Sequence, residues 1–217
     1  MNIPLQLKLK KGAHRATGSA QDFLVTELYN FFPTAVLHGG TAIWRCYQGN
    51  RFSEDVDIYL PAVYRRENKM LEFFDVLKKK GFSVKKFKRT RNAVFSKLIY
   101  QGAEVQLEIL FKDVKNRVLK EFELLDGTFI TVYTLSPESL LIEKISTYVS
   151  RKKIRDFYDI FFLVRLVKEK QEVNAELKKF LSSFKEPSDE YLLKSLIIFG
   201  LIPKLSEMLS YLKRWAK

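Results

Sequence analysis

Asp55 and Asp57 are the two residues whose type and spacing best suit chemistry, in the run Asp55-Val56-Asp57-Ile58-Tyr59-Leu60. Successive side chains of a β-strand point to opposite faces, so both carboxylates share one face, about 7 Å apart, while Val56 and Ile58 can enter the core. Two nearby carboxylates repel each other, and a divalent cation removes that repulsion. Because Mg²⁺ takes one or two carboxylates together with substrate phosphates, this strand predicts part of a magnesium–nucleotide site.

A glycine turn earlier in the chain could hold the phosphates of such a nucleotide. It reads His38-Gly39-Gly40-Thr41 and joins a predicted strand to a predicted helix. Two glycines permit an unusual backbone and a close approach to a ligand. The first turn of the helix offers free N–H groups and a positive dipole end, and the Thr41 hydroxyl adds a donor. We expect Gly39, Gly40 and Thr41 to bind the triphosphate and His38 to be a structural residue.

These two motifs, with two later ones, resemble the signature of the AbiEii/AbiGii-type toxin nucleotidyltransferases, which belong to the DNA polymerase β-like nucleotidyltransferase superfamily. The similarity covers about residues 35–165. Thr41 stands where the superfamily often has serine, and it keeps the hydroxyl. The four matching pieces are Gly39-Gly40-Thr41-Ala42, Arg51-Phe52-Ser53-Glu54-Asp55-Val56-Asp57-Ile58, Glu143-Lys144-Ile145 and Arg155-Asp156-Phe157-Tyr158-Asp159.

The resemblance implies roles for further residues. It implies a third metal-binding carboxylate on a later strand, for which Glu108 is the candidate and Glu104 the alternative; both could instead simply face solvent. It implies that Lys144 contacts the triphosphate, and an ammonium group suits phosphate oxygens. It also implies that Asp156 belongs to the site and either orients Lys144 or activates the acceptor. The predicted catalytic residues are therefore Asp55, Asp57, Glu108, Lys144 and Asp156, with Asp55, Asp57 and Glu108 holding the metal.

The activity implied is transfer of a nucleoside monophosphate from an NTP to a macromolecule, with Mg²⁺ or Mn²⁺ as cofactor. The acceptor would be tRNA or another RNA, or a protein hydroxyl. The protein would be a toxin with a cognate antitoxin. One alternative is a noncatalytic module that binds nucleotide or nucleic acid on the same fold. Another is a structural protein with accidental motifs, which predicts that Asp55 and Asp57 lie far from Gly39.

The elements that must position these residues follow from periodicity and from glycine and proline stops. The pattern predicts an α+β fold: a mixed sheet with flanking helices over residues 1–134, a nucleotidyltransferase-like domain, and a helical C-terminal domain over 135–217. Ser136 is predicted to cap the first C-terminal helix, with Pro137 in its first turn. The predicted strands are 35–37, 56–60, 82–87, 93–100, 104–111 and 127–134; the predicted helices are 17–32, 41–47, 64–80, 137–150, 153–168, 172–183 and 188–212.

Charge and residue composition limit the kinds of partner and metal site that this protein can have. A formal net charge of +13 favours polyanionic partners, and nine of the twenty residues from Lys78 to Lys97 are basic with none acidic. That run favours an RNA acceptor, although a solvated basic surface is the plain alternative. One cysteine, Cys46, excludes a disulfide framework, and two histidines disfavour a histidine-rich metal site. No apolar stretch is long enough to span a membrane, so we expect a cytoplasmic protein.

Overall fold

The computed structural model describes residues 3–65 and 68–217, and the chain divides into two compact units. Unit 1 consists of the described residues of Met1–Gln48 and Phe52–Thr134. Unit 2 consists of Gly49–Arg51 and Leu135–Lys217. Since compactness does not show that a unit folds alone, the predicted domains, 1–134 and 135–217, stay a prediction. None of the helices in the described residues is long and apolar enough to cross a membrane.

Unit 1 is built on a mixed sheet, as the fold class predicted. Its strands are β1 (Val36–His38), β2 (Asp55–Leu60), β3 (Ser83–Arg89), β4 (Ala93–Tyr100), β5 (Ala103–Phe111), β6 (Arg117–Glu123) and β7 (Phe129–Leu135). They form one seven-stranded sheet in the order β3-β4-β5-β2-β1-β7-β6. Strand β2 is antiparallel to β1 and parallel to β5, and β1 is parallel to β7. Strand β4 is antiparallel to both β3 and β5.

Helices cover one face of this sheet. The helices of unit 1 are α1 (Leu5–Lys8), α2 (Gly12–Phe31), α3 (Gly39–Cys46), a 3₁₀ turn (Ala62–Arg65) and α4 (Lys69–Lys79). On the covered face, Phe23 of α2 stacks on Tyr100 at 5.0 Å between centroids, and Phe74 of α4 meets Phe87 at 4.8 Å. We name this the helix face. The opposite face carries Asp55, Asp57 and Glu108, and we name it the acidic face.

Unit 2 is helical. It contains α5 (Pro137–Arg151), α6 (Ile154–Leu163), α7 (Lys170–Ser182), a 3₁₀ turn (Glu190–Leu192), α8 (Leu193–Leu196) and α9 (Leu205–Trp215). The predicted cap of α5 is confirmed, because the Ser136 hydroxyl accepts a hydrogen bond from Ser139 N at 3.3 Å. Gly49–Arg51 joins this unit through backbone pairing, in which Ile198 N donates to Asn50 O at 2.9 Å and Arg51 bridges Ile197.

Several predicted elements have different bounds. The single helix predicted over 188–212 is wrong: Gly200, with a φ of +87°, and Pro203 lie in a non-helical segment between α8 and α9. Strand β6 was not predicted, because Arg-Val-Leu-Lys-Glu-Phe-Glu alternates poorly. Helix α2 begins at Gly12 instead of residue 17. The helix predicted over 64–80 is a 3₁₀ turn and α4, and its residues 66 and 67 lie outside the described residues.

Candidate active site

Strand β2 holds Asp55 and Asp57 on the acidic face, as the alternation predicted. Val56 and Ile58 are fully buried, and both aspartates are half-buried. The burial of the apolar residues fixes the register, since a slip of one residue would turn every side chain of the strand to the other face. The hydrophobic core therefore determines where the two carboxylates point.

Glu108 lies beside Asp57 on the neighbouring strand. In the parallel pairing of β2 with β5, Asp57 is opposite Glu108 and Asp55 is opposite Gln106. The alternative, Glu104, is bound by Lys97 at 2.8 Å and Lys85 at 3.2 Å. Hydrogen bonds from Lys97 and then Lys85 lower the pKa of Glu104. Of the two candidate glutamates, Glu108 is therefore the one that adjoins the aspartates.

The glycine turn meets the acidic strand at Gly39. This residue has a φ of +70°, and a Cβ built there would lie 2.9 Å from Cγ of Asp57 and closer still to one carboxylate oxygen. Only glycine fits this position, because a side chain would both strain the backbone and displace the carboxyl group. The alternative of accidental motifs predicted that these residues lie far apart, and it is contradicted by this contact.

Thr41 does not offer its hydroxyl to a ligand in this structure. The residue is fully buried, and its hydroxyl donates to the backbone carbonyl of Asp55. This corrects the expectation that the hydroxyl is a phosphate donor: it fastens the first turn of α3 to the start of β2 instead. His38, opposite Asp57 in the β1–β2 pairing, stacks on Tyr59 at 3.7 Å, which suits the expected structural role.

The acidic face fits a divalent cation by its ligand type. It offers the carboxylate oxygens of Asp55, Asp57 and Glu108, and the Asp57 carboxyl lies directly against the glycine turn. Within residues 3–65 and 68–217, no three histidine, cysteine, aspartate or glutamate side chains form a ready metal cluster. Because Mg²⁺ is commonly bound by one or two carboxylates plus substrate phosphates, this set is adequate when the nucleotide supplies the remaining oxygens.

A buried arginine that the sequence did not single out fixes the position of α3. Arg45 donates to Glu123 O at 2.9 Å and to Gly18 O at 3.1 Å, and it pairs with the carboxylate of Asp22. Burial raises the pKa of Asp22, and the charge of Arg45 opposes that shift. Nothing in the local sequence separates Arg45 from an exposed helical arginine, since its partners lie on two distant elements.

Unit 2 gathers Lys144 and Asp156 into a buried charge cluster. Lys144 Nζ lies 2.7 Å from Asp159 Oδ2 and 3.5 Å from Asp156 Oδ1. Arg51 binds Asp159 through two hydrogen bonds of 2.8 Å, and Arg151 binds Asp156 through bonds of 2.7 and 2.8 Å. Positive and negative charges thus alternate along the cluster, and a cation, Arg51 or Arg151, stands at each end.

The cluster changes the expected partner of Lys144. The resemblance implied that Asp156 either orients Lys144 or activates the acceptor; Lys144 contacts both aspartates, and the shorter contact is to Asp159. Burial acts to raise the pKa of Asp159, but the charges of Arg51 and then Lys144 outweigh burial, so the pKa is lowered. Arg51 has a structural role here, because its guanidinium is held by the Asp159 carboxylate. Contact of Lys144 or Asp156 with a nucleotide stays a prediction.

Comparisons with known proteins show a shared fold and a family. MenT4, a nucleotidyltransferase toxin from Mycobacterium tuberculosis H37Rv, has a similar fold, with a TM-score of 0.61 and 18% identity over 98% of this chain and 90% of that one. JHP933 from Helicobacter pylori gives a TM-score of 0.59 and 19% identity over 92% and 90%. No curated protein sequence matches. The family model described as "Nucleotidyl transferase AbiEii toxin, Type IV TA system" matches residues 22–209. The chain therefore belongs to the AbiEii family of nucleotidyltransferase toxins.

Proposed function

We propose that this nucleotidyltransferase uses Mg²⁺ to transfer a nucleoside monophosphate from an NTP to a hydroxyl group of an RNA, and that it does so as the cytoplasmic toxin of a toxin–antitoxin pair. The observation that carries the site assignment is the contact between Gly39 and the Asp57 carboxylate. This contact supports the proposal, because an NTP–metal complex requires phosphate-binding backbone and metal-binding carboxylates side by side.

In the proposed site, the backbone N–H groups of Gly39 and Gly40 hold the phosphates at the start of α3. Asp55 and Asp57 hold the metal, and Glu108 completes a second metal site. When bound, Mg²⁺ stabilises the charge on the attacking and leaving oxygens. Lys144 and Asp156 are further proposed site residues, on the strength of the family motifs.

The proposed transfer is a single displacement. The oxygen of the acceptor hydroxyl attacks the α-phosphorus and forms a new P–O bond. The bond from that phosphorus to the α,β-bridging oxygen breaks, and pyrophosphate leaves. The hydroxyl proton passes to the carboxylate of Glu108, which lies beside Asp57. Position and electrostatics are the main contributions of the protein to such a step.

The basic charge supports RNA as the acceptor. Seven of the nine basic residues from Lys78 to Lys97 lie on the last turn of α4, on β3 and on β4, and most of their side chains are exposed. An acidic protein could also use such a surface. Binding to a polyphosphate falls steeply with salt, because each neutralised phosphate releases counterions. Salt dependence of transfer therefore separates the two acceptors.

A labelling assay tests the proposal. The protein is stripped of metal and then given each α-³²P-labelled NTP with Mg²⁺ or Mn²⁺ and either total cellular RNA or total cellular protein. We expect label in RNA with Mg²⁺, weaker label at high salt, and none without metal. Label in protein alone would refute the RNA acceptor while leaving the enzyme class intact. Transfer that persists without divalent metal would refute the metal assignment.

A further inference from the structure

Two cross-strand rows lead along the acidic face from the aspartates to the edge of the sheet. Residues that pair across neighbouring strands point to the same face. The first row runs Asp57, Glu108, Phe95, Lys88 from β2 to β3, each residue opposite the next. The second row lies beside it and runs Asp55, Gln106, Lys97, Lys86. Acidic side chains thus give way, along one continuous face, to an aromatic ring and three lysines.

The far end of these rows is exposed. Phe95 has 37% of its surface accessible, and Lys86 and Lys88 are exposed. In the part of the chain that the structure describes, neither of these two lysines has an ion pair, whereas Lys97 is bound to Glu104 at 2.8 Å. An exposed phenylalanine beside unpaired lysines has no evident role in stability. We name Lys86, Lys88, Phe95 and Lys97 the β3–β4 surface.

A second exposed phenylalanine shows what is unusual about Phe95. Phe87 of β3 is 39% exposed, but it lies on the helix face, where its ring meets Phe74 at 4.8 Å. Phe87 thus closes the edge of the core. For Phe95, on the acidic face, no ring contact is found in the described residues. Of the two rings, only Phe95 is available to stack on a ligand.

The spacing of residues along the first row suits a polymeric ligand whose end reaches the aspartates. Neighbouring strands are about 4.8 Å apart, so the backbone of Phe95 lies about 10 Å from that of Asp57, and Lys88 lies about 14 Å away. A polynucleotide with its terminal hydroxyl at the aspartates would pass a base over Phe95 and its phosphates along the lysines. Aromatic stacking with basic side chains is how proteins bind single strands without reading sequence.

We propose that the β3–β4 surface binds the single-stranded end of a polynucleotide acceptor, with Phe95 stacking on a base and Lys86 and Lys88 contacting phosphates. The proposal rests on the proposed function, because it takes Asp55 and Asp57 as the reaction centre. It adds the route by which the acceptor arrives. An acidic protein segment would pair with the lysines but would gain less from the exposed ring.

Binding of a fluorescent oligoribonucleotide of mixed sequence tests this proposal. Phe95→Ala is expected to weaken binding of the single strand about tenfold, and Phe95→Tyr, which keeps the ring, to leave it near wild type. Lys88→Ala should reduce the slope of log K against log salt by about 0.7. Lys178→Ala, an exposed lysine on α7 outside the basic run from Lys78 to Lys97, is the matched control and should leave that slope unchanged. Melting temperatures of all variants check that they fold.

Transfer kinetics separate this proposal from the proposed function. With total RNA as acceptor, Phe95→Ala should raise the acceptor KM about tenfold and leave the NTP KM unchanged. A rise in the NTP KM alone would overturn the proposal and assign Phe95 to the incoming nucleotide. The proposal would also be overturned if Phe95→Ala and Lys88→Ala bound the oligonucleotide as tightly as the wild type. Continued transfer by these variants would then leave the proposed function intact. Absence of transfer by the wild-type protein would count against the proposed function, and the binding measurements would still decide this proposal.

Discussion

Replacement of Gly39 by alanine tests the contact between the glycine turn and Asp57. Two costs follow from the structure. A φ of +70° costs a residue with a side chain about 1–2 kcal/mol. The new Cβ would also lie 2.9 Å from Cγ of Asp57, against an ordinary carbon–carbon contact of about 3.5–4.0 Å. The carboxyl group must therefore move by roughly 1 Å.

These costs predict separate effects on stability and on activity. For a chain of this size, a loss of about 1–2 kcal/mol lowers the Tm by roughly 2–8 °C. Misplacing a catalytic group by about 1 Å can cost about 10²-fold in rate. We therefore expect Gly39→Ala to remain folded, with a modest fall in Tm and a fall in kcat of about two orders of magnitude.

Gly102→Ala is the matched control. Gly102 also has a positive φ, +81°, but a Cβ there meets nothing within 4 Å. It should show a similar fall in Tm and near wild-type transfer. The assay is incorporation of α-³²P label under saturating NTP, with thermal melting of both variants. Near wild-type kcat in Gly39→Ala would refute the reasoning, and an equal loss in both variants would show that backbone strain alone is responsible.

Two further variants test the interior. Thr41→Val removes the buried donor to Asp55 O, so it should cost about 1–3 kcal/mol of unfolding free energy and leave the NTP KM unchanged; a large rise in that KM would show that the hydroxyl does bind phosphate. Asp159→Asn removes the carboxylate that lies nearest to both Arg51 and Lys144 and should cost about 3–5 kcal/mol near neutral pH. Because the folded pKa of Asp159 is lowered, its stabilisation is present above its unfolded pKa of about 3.9 and is lost as pH falls through the folded value. Urea titrations should therefore show the difference from wild type shrinking below about pH 4, and a constant difference would contradict the role of its charge.

The strand and the turn that carry the candidate site residues could be predicted from local sequence pattern. The alternation in Asp55–Leu60 places the apolar side chains in the core and both aspartates on the other face, and the structure agrees. The glycine pair marks the turn before α3. Both signals are local, because strand period and backbone freedom are properties of adjacent residues. The family resemblance rested on the same residues and is confirmed.

The contacts that could not be predicted from the sequence join residues that are far apart in the chain. The Thr41 hydroxyl was expected at a phosphate, but its partner is the carbonyl of Asp55, fourteen positions later. The preference for Asp159 over Asp156 at Lys144 depends on how α5 packs on α6. The choice of Glu108 over Glu104 depends on the β2–β5 register. Such pairings follow from tertiary packing, and one sequence contains no local signal for them.

Transfer by Asp57→Asn tests the central assignment most directly. The substitution keeps the size and removes the charge that the proposed metal site requires, whereas Asp75→Asn, on the exposed surface of α4, removes one charge elsewhere and is the matched control. Both variants are given α-³²P-labelled NTP, Mg²⁺ and total RNA after their melting curves have been compared with wild type. The account predicts loss of label with Asp57→Asn and wild-type label with Asp75→Asn. Undiminished labelling by a folded Asp57→Asn protein would contradict it.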